Sequence, residues 1–348
     1  MTATAEIPTF RMEADTSPAP LLEVENLRVA FALKNGQTLT AVDGVSLDIK
    51  PGEILGLVGE SGSGKTVFAT ALLRLVGAPG RITNGTIRWQ GTDLLRLGNA
   101  EMRHVRGEEI AMLFQNPQAS LNPVYTVGSQ LVSVIRLHQD ASKKEARSEA
   151  VRLLRLVRIS DAENRLDDYP NQFSGGMCQR IMLAMALACR PKLLIADEPT
   201  AALDVTIQAQ IMDLLMEIRD EFDMSILMIS HDLGVIARMC DRIAVLYLGR
   251  IVELAKAANL YSSPKHPYTQ ALLESVPVPD PTQRGDLAQI EGDVPSPTDI
   301  PSGCRFRTRC PEAFDACPEV DPELKAVEKD SRHLAACLLY QQPSSARQ

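Results

Sequence analysis

Residues 59–66 read Gly59-Glu60-Ser61-Gly62-Ser63-Gly64-Lys65-Thr66. They fit the pattern G-x-x-x-x-G-K-[ST], with Gly59, Gly64, Lys65 and Thr66 in register. Glu53-Ile-Leu-Gly-Leu-Val precedes them, entered through the Pro51-Gly52 turn; this apolar run predicts a buried strand. Val67-Phe-Ala-Thr-Ala-Leu-Leu-Arg-Leu follows and predicts a helix. Strand, glycine loop and helix in that order aim backbone N–H groups and the positive end of a helix dipole at an anion. Lys65 would reach the β- and γ-phosphates of a nucleotide, and the Thr66 hydroxyl would hold Mg²⁺. A ligand-free glycine turn before a helix is the bland alternative, and the Lys and Thr in register argue against it.

Three more strand ends point to the same chemistry. In Lys192-Leu-Leu-Ile-Ala-Asp197-Glu198, four apolar residues lead to adjacent carboxylates. This places both acids at the carboxyl end of a buried strand, the edge where open α/β sheets bind ligands. Asp197 is placed to hold Mg²⁺, and Glu198 to orient or deprotonate an attacking water. An acid pair after a strand is more often a helix start; beside a phosphate loop that reading recedes. Ser225-Ile-Leu-Met-Ile-Ser ends at His231, on the expected γ-phosphate side, although a lone His is more often structural. Gln115, in Met112-Leu-Phe-Gln-Asn-Pro, also follows an apolar stretch; its amide would contact Mg²⁺ or the water. A second glycine loop, Phe173-Ser174-Gly175-Gly176, precedes a helical pattern over Met177–Arg190 that Pro191 ends. Ser174 is a candidate N-cap, and the glycines admit a phosphate closely. One complete phosphate loop and one acid pair leave this second anion site to a nucleotide held by another subunit.

Together these elements resemble the ATP-binding subunits of ABC transporters, over residues 21–255. The phosphate loop, Gln115, Ser174–Gln179, Asp197-Glu198, Ala202-Leu203-Asp204 and His231 stand in family order and spacing. The resemblance implies an α/β P-loop cassette: a mostly parallel core sheet, an antiparallel β subdomain, and a helical subdomain over about residues 98–190. It implies two cassettes paired head to tail, with Ser174, Gly175, Gly176 and Gln179 facing the partner's nucleotide and Asp204 in the dimer loop. It makes Glu198 the catalytic base and His231 the γ-phosphate contact, and it assigns Mg²⁺ to Thr66, Gln115 and Asp197. Phe31 matches the position that stacks on adenine, though a strand Phe is more often core. Cys178 departs from the family's Gln or Arg, and Ala201 from its Thr or Ser; neither removes a catalytic group.

Residues 256–348 differ in composition: they are Pro-rich and hold four of the seven cysteines. Pro264-Lys-His-Pro-Tyr-Thr-Gln-Ala-Leu-Leu and Gly303-Cys-Arg-Phe-Arg-Thr-Arg-Cys resemble the C-terminal extension of dipeptide/oligopeptide importers. That branch implies a homologous second ATPase subunit, two permeases and an extracytoplasmic peptide-binding protein, with this subunit peripheral on the cytoplasmic face of the inner membrane. Nickel and glutathione importers share the extension, so these substrates stay open. Cys304, Cys310, Cys317 and Cys337 lack the tight pair usual for zinc, and nothing else supports an oxidising compartment for disulfides. Four thiolates on a loop-rich segment suit an iron–sulfur cluster, which the importer resemblance makes [4Fe–4S]; zinc and unligated thiols remain the alternatives. Cys178, Cys189 and Cys240 fall in helical patterns and read as buried small apolar residues.

The chain has 348 residues, enough for a large domain with an appendage, and a formal net charge of −8. That balance advertises no nucleic-acid-binding face, and no apolar run reaches membrane-spanning length. Residues 1–20 are Ala-, Thr- and Pro-rich without an apolar core, predicting a disordered leader. Leu22–Leu33 and Leu39–Ile49 alternate as antiparallel strands do, and Arg242–Glu253 reads as a hairpin turning at Gly249-Arg250. A soluble ABC protein serving ribosomes or DNA is the rival reading; the second cassette, zinc module or coiled coil typical of those types is absent from the sequence.

Overall fold

The computed structural model describes residues 19–201, 203–275, 292–327 and 332–341. Almost all of the expected leader, and Ala202, lie outside them. Two sheets organise the fold. In the first, β1 (Leu22–Ala32) is flanked by β2 (Thr38–Ile49) and β4 (Gly80–Trp89), and β5 (Thr92–Asp93) continues it; all neighbours are antiparallel. The second is the core sheet, built on β3 (Ile54–Val58), β6 (Ile110–Leu113), β7 (Leu193–Asp197), β8 (Ser225–Ser230) and β9 (Arg242–Tyr247). These five are parallel in the order β9-β3-β8-β7-β6. The antiparallel strands β10 (Arg250–Lys256), β12 (Leu334–Ala335) and β11 (Lys325–Ala326) extend it beyond β9.

The central strands are apolar because both their faces are covered. Every residue of β3, β7 and β8 is buried. Alternate side chains enter two different cores, as the period of a strand requires. Leu55, Leu57, Leu193, Ile195, Leu227 and Ile229 join the antiparallel sheet and α1 (Lys65–Leu72). Ile54, Val58, Leu194, Ala196, Ile226 and Met228 face the other core, built largely from helices.

The helices of that second core come mainly from between β6 and β7. After α2 (Asn99–His104) and β6 come α3 (Pro117–Ser120), α4 (Val127–His138), α5 (Lys143–Leu156), α6 (Ala162–Arg165) and α7 (Gly175–Leu187). Thus Ile110–Leu113 lies inside the span expected to be helical and is an edge strand of the core sheet. Beyond β7 follow α8 (Val205–Phe222), α9 (Leu233–Met239), α10 (Ala257–Ser262) and α11 (Pro267–Glu274). The β9–β10 hairpin turns at Leu248-Gly249, one residue before the expected position. Its two loop residues have φ of +44° and +81°, the positive pair that suits a tight hairpin.

The C-terminal segments fold back on the core sheet. Glu253 of β10 is fully buried. Its Oε1 accepts from the Lys265 backbone N–H at 2.7 Å and its Oε2 from the His266 N–H at 2.9 Å. The His333 ring lies against the same carboxylate, Nε2 to Oε1 at 2.6 Å. One side chain therefore joins the strand, the start of α11 and the returning tail.

Candidate functional site

Parallel strand order puts the carboxyl ends of β3, β6, β7 and β8 on one edge. The phosphate loop leaves β3 there, Gln115 follows β6, Asp197 closes β7, and His231 follows β8. The loop is wrapped around its own lysine. Lys65 is buried, and its Nζ donates to the Gly59 carbonyl at 2.7 Å and the Glu60 carbonyl at 3.0 Å. Burial lowers the Lys65 pKa, and the carboxylates of Glu198, Asp197 and Glu60 oppose that shift. Gly64 sits at φ +106°, and a Cβ there would stand 2.3 Å from the Ala41 carbonyl oxygen. Only glycine fits that approach. The helix α1 begins at Lys65, two residues earlier than its apolar pattern indicates, which brings the ammonium to the helix N-terminus.

The acid pair divides its work by geometry. Asp197 is buried, with the Thr66 hydroxyl nearby. Its pKa is pushed up by burial and by Glu198, against the Thr66 hydroxyl and the Lys65 charge. Its Oδ1 is buried with no hydrogen-bond partner among the described residues. An orphaned carboxylate oxygen beside a hydroxyl fits a hard cation such as Mg²⁺. Glu198 points elsewhere. Its backbone has φ +48°, held by an N–H bond to the Ile229 carbonyl at 2.9 Å. Its Oε2 accepts from Gln115 Nε2 at 2.7 Å, and Oε1 lies 3.2 Å from His231 Nδ1. The structure thus brings Gln115, Glu198 and His231 into one contact chain.

The second glycine loop is separate from this cluster. Ser174 caps α7, its hydroxyl accepting from the Met177 N–H. The helix therefore starts at Gly175, two residues ahead of the expected Met177, and both glycines stand at its first turn. Gln179 is buried, with its Nε2 unpartnered among the described residues. Asp204 caps α8 through the Ile207 N–H at 2.9 Å. Phe31 is half-buried in β1, where its ring lies over Gly80.

Cys304, Cys310, Cys317 and Cys337 line one small closed cavity with Phe306 and Phe314. Burial pushes the Cys310 thiol up to about 11 and the Cys337 thiol to about 12. Among the described residues no group of three Cys, His, Asp or Glu side chains is disposed to hold a single metal ion. No helix among them is long and apolar enough to cross a membrane.

Two residues of the phosphate-loop environment escaped the sequence reading. Tyr268 of α11 accepts the Glu60 N–H on its hydroxyl at 2.8 Å. Arg309, between the first two cysteines of the cavity, pairs with the Glu60 carboxylate at 2.7 and 3.0 Å. Both lie in stretches quoted above for the importer resemblance, Tyr268 in Pro264-Lys-His-Pro-Tyr and Arg309 in Cys304-Arg-Phe-Arg-Thr-Arg-Cys, but nothing local ties either to the phosphate loop.

Comparison with known proteins agrees with this geometry. Residues 42–201 match the ABC transporter family model, and residues 252–317 match that of the oligopeptide/dipeptide transporter C-terminal region. The dipeptide transport ATP-binding protein DppD of Haemophilus influenzae is 48% identical over 307 residues, spanning 88% of this chain and 92% of the relative. The oligopeptide transport ATP-binding protein OppD of Salmonella typhimurium is 48% identical over 312 residues, 89% of this chain and 92% of its own. Among solved structures, the dimeric ATP-binding cassette MJ0796, in a post-hydrolysis state with ADP and Pi, superposes with a TM-score of 0.61 at 28% identity. It covers 68% of this chain and 98% of its own. CbiO1 of Clostridium perfringens gives 0.60 at 25% identity, over 70% and 91%. The chain belongs to the ABC transporter family, among the ATP-binding subunits that carry the oligopeptide/dipeptide transporter C-terminal region.

Proposed function

We propose that this chain is the ATP-hydrolysing subunit of a peptide importer. The observation that carries the reading is the union of the two matched regions in one chain: a cassette with its acid, amide and imidazole assembled at one strand edge, and the importer-type C-terminal region. Relatives named for dipeptide and oligopeptide transport support the peptide class. Nickel and glutathione are the alternative cargoes.

In this reading the loop Gly59–Thr66 cradles the phosphates on backbone N–H groups, with Lys65 redirected from its own loop carbonyls to the β- and γ-oxygens. Phe31 stacks on adenine. Thr66, Asp197 and Gln115 would hold Mg²⁺, and the ion when bound would neutralise charge on the transferring phosphoryl group. Glu198 takes the proton of the attacking water, His231 contacts the γ-phosphate, and the His231 and Gln115 bonds fix the carboxylate's orientation. Ser174, Gly175 and Gly176 serve the nucleotide of a second, homologous cassette, for which the open start of α7 is suited; Asp204 lies at that dimer contact. Two permeases and an extracytoplasmic binding protein complete the assembly, and the chain sits peripherally on the cytoplasmic face of the inner membrane. We read the chain as a leader over 1–20, a cassette over 21–255 and an extension over 256–348.

We extend the reading to a [4Fe–4S] cluster on Cys304, Cys310, Cys317 and Cys337. The observation behind this extension is that all four thiols line one cavity; zinc and unligated thiols stay as the alternatives. Such a cluster would clamp the loop-rich extension. Anaerobic purification should give about four irons and four sulfides per chain, lost when each cysteine is changed to Ser; stoichiometric zinc would overturn the cluster. The transport reading is tested by affinity capture of the tagged chain from detergent-solubilised native membranes. Two polytopic permeases and a second cassette should co-purify. Recovery of ribosomal or DNA-processing proteins instead would sink it.

A further inference from the structure

The loop between Cys304 and Cys310 is fastened to the nucleotide-binding core at three points. Arg305 pairs with Asp43 and donates to the Leu248 carbonyl. Phe306 is fully buried and meets Tyr247 edge-on at 5.3 Å and Tyr268 at the same distance. Arg309 forks onto both oxygens of Glu60 and lies 6.0 Å over the Tyr247 and Phe306 rings. The Arg309 side chain is 4% exposed and that of Glu60 26%, so this is a half-buried, bidentate pair with defined geometry.

Glu60 is an awkward residue for its place. It is the second residue of the phosphate loop, and its own carbonyl accepts from Lys65 Nζ. A free carboxylate there adds negative charge to a site that must take up a polyanion, and repulsion between like charges is strong in a partly desolvated loop. We propose that Arg309 is a positioning residue for the nucleotide: its guanidinium neutralises Glu60 and holds that carboxylate against the extension, away from the phosphates. The Tyr268 hydroxyl fixes the backbone N–H of the same residue from the other side. The C-terminal region is thereby a built part of the nucleotide site. This rests on the ATP-binding reading above and adds to it a residue 249 positions away in sequence.

The test is titration of the purified full-length chain with a fluorescent ATP analogue and Mg²⁺. Arg309→Gln should raise Kd about tenfold, from one uncompensated charge near the phosphates. Arg309→Lys should fall between, because a point charge neutralises without the fork. The double variant Arg309→Gln/Glu60→Gln should regain most of the lost affinity. Damage to folding alone predicts no such rescue, and melting curves of each variant register that damage separately. Wild-type affinity in Arg309→Gln, or a double variant as weak as the single, would overturn the proposal. A wild-type chain that binds no nucleotide, or a Lys65→Ala variant that binds as wild type does, would overturn the nucleotide site itself and this proposal with it.

Discussion

Replacing Glu253 by Ala tests whether the tail is locked to the sheet by one carboxylate. The side chain is fully buried and accepts from two backbone N–H groups and faces the His333 ring. Removal leaves one buried and one part-buried donor unpaired, each costing about 1–3 kcal/mol, and strips the buried His333 ring of its carboxylate as well. Relief of the carboxylate's own desolvation offsets part of that sum, so the net loss should be about 3–5 kcal/mol. At roughly 2 °C per kcal/mol for a chain of this size, the melting temperature should drop by about 6–10 °C. Glu253→Gln should lose less, because it keeps one acceptor but presents an amide to the remaining donors. Circular dichroism melts of the full chain measure the shift, and limited proteolysis with intact-mass detection locates what opens. The segments after β10 should be cut first. A loss below about 1 kcal/mol, with an unchanged cleavage pattern, would refute the lock.

Glu198→Gln should retain ATP binding and lose about 10²–10⁴ in turnover of the assembled complex, measured by phosphate release; wild-type turnover would remove it from catalysis. Gly64→Ala should abolish nucleotide binding, since its Cβ would meet the Ala41 carbonyl oxygen at a backbone φ of +106°; calorimetric titration checks this. Tyr268→Phe keeps the aromatic packing and deletes the acceptor of the Glu60 N–H. Urea unfolding should show a loss of about 1–2 kcal/mol, and a neutral result would mean that another acceptor replaces the hydroxyl.

What was legible in the sequence lies close together along the chain. The phosphate loop, the acid pair and His231 each terminate a short apolar run, so one local rule, function at the ends of buried strands, located them all. The antiparallel pair Leu22–Ala32 and Thr38–Ile49 was legible through alternation. Its third member, Gly80–Trp89, was not: most of that strand is only partly covered, so its pattern lacks contrast. Ile110–Leu113 was hidden by its length of four residues within a helix-rich span. Glu253 gave one signal that could have been used, a carboxylate among the apolar residues of Ile251-Val-Glu-Leu-Ala. Its partner His333 is 80 residues away, and the Arg309–Glu60 pair spans 249. Contacts of that range leave no periodicity for a local reading to find.

The reach of that last pair bears on how the molecule is made. A ribosome adding about 5–20 residues per second releases Glu60 roughly 12–50 s before Arg309 exists. During that interval the nascent chain can pair β3 with neither β8 nor β9 until each has emerged, and its loop carboxylate has no counter-charge from the extension. If Arg309 positions the nucleotide as proposed, a nascent cassette should bind ATP about tenfold more weakly until that residue has emerged and docked on Glu60.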